Sequence, residues 1–161
     1  MAEDVLSQSP GGAAPGGAAA PKVRPTPISE LAKLSDEEVI APRRQYVAKL
    51  TAKLGPEHPE TLKSRDSLAF ALQTRRKYAE AEQEQRAVLA IRERLLGADH
   101  PEVLADCYTL AAHLLEARKL PDALAFAQRA ENGFRKIRGS TDGSTQDCEE
   151  LRKKCEAALA K

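Results

Sequence analysis

The chain has 161 residues, enough for one compact domain, and sets 25 Lys and Arg against 24 Asp and Glu. That near-neutral balance excludes a general pull toward nucleic acid or an anionic membrane surface, though not a local charged patch. Aromatics make up 4% with no Trp, a composition suited to closely packed helices rather than a β-sandwich, and no apolar run approaches the ~20 residues of a membrane span.

The N-terminus, "MAEDVLSQSP", is acidic and lacks the apolar stretch of a secretory signal. "SQSPGGAAPGGAAAPKVRPTP", residues 7–27, is rich in Gly, Pro and Ala. Such a segment buries little apolar surface, and residues 1–27 read as a disordered arm. Structure is expected from Ile28. Ser35 followed by Glu38 is a capping-box pattern, which places a helix start at Asp36. Pro42 falls inside this helix and is expected to kink or restart it, and Gly55 is placed to end it as the residue after the cap.

A repeat then begins. "LGPEHPETL", residues 54–62, returns as "LGADHPEVL", residues 96–104, a spacing of 42 residues. Pro59 suits the first position of a helix, with His58 as its cap. The apolar stripe of "PETLKSRDSLAFALQTRR" is Leu62, Leu68, Ala69 and Leu72. In "YAEAEQEQRAVLAIRERLLG" it is Tyr78, Ala81, Val88, Ile91 and Leu95, close to a period of ~3.6, and Gly97 ends the helix. The second copy keeps register: Pro101 matches Pro59, Leu104 matches Leu62, Leu110-Ala111 matches Leu68-Ala69, Leu114 matches Leu72, and Gly139 matches Gly97. The matched residues are those that pack or end helices. The repeat is therefore a packing unit, two antiparallel helices joined by a turn near Lys77 and Lys119. A third copy starts with Gly143 in the proline position. It gives one helix with Leu151, Cys155 and Leu159 four apart and no partner after it, the form of a capping helix.

Cys107, Cys148 and Cys155 make an odd count, and the last two stand roughly 10 Å apart on a helix, too far for a disulfide. Nor is their spacing a zinc pattern. They read as reduced thiols of a cytoplasmic protein.

A helical pair carrying "LG", "HP" and then "LA", written twice in register, resembles the tetratricopeptide repeat in the 42-residue form of kinesin light chains. The resemblance covers about residues 33–155. It implies an all-α, right-handed stack of helical hairpins over residues 28–161: a degenerate first repeat at 28–55, full repeats at 56–97 and 98–139, and a capping helix at 140–161. "KLSDEE" (33–38) is similar to "KLPDAL" (119–124), with one residue of slippage near Pro42. The resemblance also implies that first helices line a concave, protein-binding face. The residues around "LA" that would face it are Lys63, Asp66, Phe70, Gln73 and Thr74, then Ala105, Tyr108, Ala112, Leu115 and Glu116. Kinesin-light-chain repeats often carry Asn before "LA", where it grips a peptide; Asp66-Ser67 and Tyr108-Thr109 stand there instead.

Phe70 and Tyr108 are candidate aromatic anchors, with ordinary inter-helix packing as the plain alternative. Arg75, Arg76 and Lys77 fall in one turn and Arg118 and Lys119 in its counterpart, so stacking would align them as a basic edge able to meet an acidic partner; a solvated turn is the plain alternative. His58 and His100 lack the companions a zinc site needs and read as helix-entry residues. There is no phosphate loop, metal-binding helix motif or nucleophile beside His113. No enzyme, cofactor or metal is expected. The reading is a protein-binding scaffold. Similarity to bacterial kinesin-light-chain-like proteins, some of which accompany bacterial tubulins, implies a tubulin-type filament as partner. An adaptor for a peptide in the groove and a self-assembling module are the alternatives.

Overall fold

The structure, a computed structural model, describes residues 34–161. The expected arm, residues 1–27, and the expected start at Ile28 lie outside the described residues. The described residues hold six helices and no strand: α1 (Asp36–Leu54), α2 (Pro59–Thr74), α3 (Tyr78–Leu96), α4 (Pro101–Glu116), α5 (Leu120–Arg138) and α6 (Gly143–Leu159). Each packs on its chain neighbours, and α4 also touches α6. This is an all-α stack of helical hairpins.

Local chemistry sets each boundary. The Ser35 hydroxyl accepts from the Glu38 N–H while Glu38 reaches back to the Ser35 N–H, completing the expected capping box. His58 and His100 act as helix caps: each Nδ1 accepts, at 3.2 Å, from the backbone N–H two residues on. Asp142 takes the same place in the third copy and accepts from the Ser144 N–H at 3.0 Å. Gly55, Gly97 and Gly139 are themselves the C-caps, with φ of 93°, 91° and 90° and ψ of 163°, 155° and 171°. That region is essentially open to glycine alone. It differs from the left-handed position one residue beyond the cap expected for Gly55.

The second helices α1, α3 and α5 are each 19 residues long and begin 42 residues apart. Two expectations for α1 are corrected by this. No slippage occurs near Pro42: Ser35, not Lys33, aligns with Lys77 and Lys119. Nor does Pro42 restart the helix, which runs through to Leu54. The Arg43 guanidinium donates to the Val39 carbonyl at 2.6 Å, giving hydrogen-bonding support in the turn that proline weakens.

The core follows the stripes. Leu62, Leu68, Ala69 and Leu72 are buried, as are Leu104, Leu110, Ala111 and Leu114 in the second copy. Each buried leucine stabilises by about 1.5–3 kcal/mol. Ala81, Ala123, Ala127 and Ala130 are buried where helices approach closely. Tyr78 and Ile91 of the expected stripe are only half-buried, and two further stripe residues are exposed, Leu95 at 47% and Leu159 at 44%. Each of these leucines sits near a helix end, beyond the reach of its neighbour. Leu89 and Cys148 are buried instead.

Register shows how α6 departs from α2 and α4. The four stripe positions that are apolar in α2 and α4 become Gln146, Arg152, Lys153 and Glu156 in α6. A polar face in place of that stripe has nothing to bury against a further helix. Arg152 bonds at 2.6 Å to Glu131 of α5, a buried carboxylate that Arg135 also holds at 2.5 Å. α6 therefore joins α5 through paired charge at Glu131.

Candidate protein-binding surface

The candidate groove residues lie on α2 and α4, and the structure sorts them by what they touch. Lys63, Thr74 and Ala105 are exposed, and Phe70 is 63% exposed. Tyr108, Ala112 and Leu115 are half-buried and pack against the core. Asp66 and Gln73, by contrast, are engaged within the stack. Arg92 of α3 reaches Asp66 of α2 at 2.5 Å and Asp106 of α4 at 2.6 Å, tying two repeats together. Burial raises both carboxyls above the ordinary range, and Arg92 opposes that shift. Gln73 is buried, and its amide donates to Glu116 at 2.6 Å, so Glu116 too is committed to an inter-repeat bond. Periodicity finds the face of a residue; it does not find the long arginine on the next helix that occupies it.

Tyr108 borders a cleft of about 160 Å³ with Ala105, Phe134, Ser144, Asp147 and Cys148. Burial, followed by the nearby Asp147 carboxylate, pushes the Tyr108 hydroxyl up. Asp147 and Phe134 were missed in the sequence, although Asp147 stands in register with Lys63 and Ala105.

The basic edge narrows in the structure. Arg75 is half-buried with Nη1 3.7 Å from Asp36, and Lys119 donates to Glu82 at 2.7 Å. Lys77 and Lys119 serve as the N-caps of α3 and α5. Arg76 and Arg118 remain exposed. Both have left-handed backbone, φ 57° and 61°, and among the described residues no other non-glycine does. The cause is the turn. The Lys77 N–H bonds the Leu72 carbonyl at 2.9 Å and the Arg76 N–H the Gln73 carbonyl at 2.8 Å, the two bonds of a Schellman motif. Lys119, Leu114, Arg118 and Leu115 repeat it at 2.9 and 3.1 Å. Glycine usually fills that position, and an L-residue there costs roughly 1–2 kcal/mol. This chain accepts the strain twice and presents a guanidinium each time.

Among the described residues no group of three or more His, Cys, Asp or Glu is arranged to hold a metal. No helix among them is long and apolar enough to cross a membrane.

Comparison with known proteins agrees with this geometry. A tetratricopeptide-repeat family model matches residues 61–102. The crystal structure of nearly identical TPR-like repeats from Podosopora anserina, described as those of a kinesin light chain, superposes with a TM-score of 0.70 at 25% identity, over 78% of this chain. A variant of it also gives 0.70, at 24% identity over 78% of this chain. The chain spans 59% of the length of each of those two. Comparison with curated proteins returns no match. The helix pairs, their 42-residue register and the superposed repeats support a tetratricopeptide-repeat fold similar to that of the kinesin-light-chain repeats, a fold that supports protein–protein interaction.

Proposed function

We propose that this tetratricopeptide-repeat protein is a non-enzymatic scaffold whose partner is an acidic, repeating protein surface, a tubulin-type filament being the specific case. The observation that carries the reading is the pair of strained, exposed arginines, Arg76 and Arg118, held at equivalent turns of consecutive repeats. Strain kept at a fixed position is a mark of function, and two guanidiniums at a fixed repeat spacing suit a surface that itself repeats. The exposed groove residues Lys63, Phe70 and Ala105, with Tyr108, Ala112 and Leu115, give a second contact area.

The test is co-sedimentation of the purified protein with bacterial tubulin polymerised in GTP, compared with unpolymerised subunits. A lattice binder pellets strongly with filaments and binds subunits weakly, because many weak sites act together. Equal binding to subunits and filaments contradicts the lattice reading. Absence of pelleting at low salt removes the filament partner.

A further inference from the structure

The repeat register shows what one open face of the stack is built to hold. In the complete repeats, one stripe of each second helix faces the first helix of its own repeat. Glu84 of α3 accepts from Arg65 of α2 at 2.8 Å. Gly133 of α5 lies against Leu104 of α4. Between these contacts on the same stripe, Val88 and Ala130 are 1% and 0% exposed.

In α1 the same stripe reads Pro42, Tyr46 and Lys49. Among the described residues no first helix precedes α1. Tyr46 stands in register with Val88 and Ala130 yet is 56% exposed. Pro42, Arg43 and Tyr46 line an open cleft of about 300 Å³ with Ser64 and Ser67 of α2. The cleft is thus bounded by a second helix and by the first helix of the next repeat. Elsewhere in this chain, what fills that position is a helix antiparallel to the second helix.

Charge narrows the occupant. From Val39 to Leu54, α1 carries Arg43, Arg44, Lys49 and Lys53 and no carboxylate. Arg44 is paired with Glu80 of α3 and Arg43 with a backbone carbonyl. Lys49 and Lys53 are exposed on the same stripe as Tyr46, as their i+3 and i+7 spacing requires. We infer that the Pro42–Tyr46–Lys49 face is a seat for one acidic amphipathic helix of a partner protein, which completes the first repeat by packing a small apolar residue on Tyr46 and carboxylates on the lysines. This contact is separate from the one proposed for Arg76 and Arg118.

The probe is a fluorescein-labelled peptide of residues 59–74, the first helix of the next repeat, carrying Leu62→Glu, which the register sets opposite Lys49, and Lys63→Glu. Fluorescence anisotropy with the full chain is expected to give saturable binding that weakens with salt, and circular dichroism a gain of helix on mixing. The unmodified peptide is expected to bind at least tenfold more weakly. Tyr46→Glu, at an exposed position, keeps the parent melting curve and loses at least tenfold in affinity. Ser67→Trp, which fills the cleft from α2, does the same. Lack of saturable binding by the acidic peptide overturns the inference, as does equal affinity of both variants and the parent. Light scattering that shows a dimer lost in Tyr46→Glu, with no peptide binding, also overturns it in favour of a second copy in the seat. Pelleting with filaments through the arginines is unaffected in every case.

Discussion

Gly133 of α5 lies so close to Leu104 of α4 that a Cβ added to the glycine would stand 2.3 Å from Leu104 Cδ2 and 3.0 Å from its Cγ. Leu104 is buried, so its side chain has little freedom to yield. The contact sets the separation of the two helices in the second full repeat. Gly133→Ala gains about 1 kcal/mol of helix propensity and loses about 1–3 kcal/mol to overpacking. A net loss of about 1 kcal/mol is expected in urea unfolding. In Gly133→Ala combined with Leu104→Ala, the penalty of the first change should shrink, because the space left by the leucine receives the new methyl; fully additive losses would contradict the packing argument.

Arg76 and Arg118 give a prediction of opposite sign. Arg76→Gly and Arg118→Gly each relieve a left-handed residue, and each is expected to raise stability by about 1 kcal/mol. Arg76→Ala keeps the strain and leaves stability near the parent. If the guanidiniums serve binding, the glycine variants melt higher and bind less. Unchanged melting of both would show that the turns are not strained.

His113 supplies a pH dependence. Its Nδ1 lies 2.6 Å from the Gln85 amide oxygen, and burial lowers its pKa against the pull of Glu116. A histidine with a folded pKa below the unfolded value takes up its proton more readily when unfolded. Stability is thus unaffected above the ordinary imidazole range and falls as pH drops through it. The urea midpoint of the parent should fall more between pH 7.5 and 5.5 than that of His113→Gln. Parallel curves would contradict this.

The thiols should be inert in the folded chain. Cys107, Cys148 and Cys155 are buried, and burial pushes Cys107 and Cys148 up to about 11. Few thiolates form at neutral pH, and reagent cannot reach them. A chromogenic disulfide reagent is expected to label all three quickly in denaturant and slowly in buffer. Rapid native labelling would show that α4 or α6 opens readily.

The sequence carried the frame of this structure where one residue has one physical job. The capping box at Ser35, the histidine caps and the leucines of α2 and α4 are local signals, and they lie where they were read; the glycines end their helices too, though as the caps themselves. What escaped depends on neighbours distant in sequence. Nothing local marks Asp66 as the partner of Arg92, or Gln73 as the partner of Glu116. The left-handed arginines were hidden because glycine is the usual sign of that backbone. Two features were legible in register and not read: the polar residues replacing the stripe in α6, and Tyr46 standing where Val88 and Ala130 are core. Leu95 and Leu159 satisfied the period but lay too near a helix end to be covered.

The most direct measurement of the proposed role is co-sedimentation with polymerised bacterial tubulin for the parent and for a variant combining Arg76→Glu with Arg118→Glu, at low and high salt. If the repeated arginines meet an acidic lattice, the parent pellets strongly at low salt, the variant loses most of that binding, and the two converge at high salt as screening sets in. Equal pelleting of parent and variant at low salt would contradict the account.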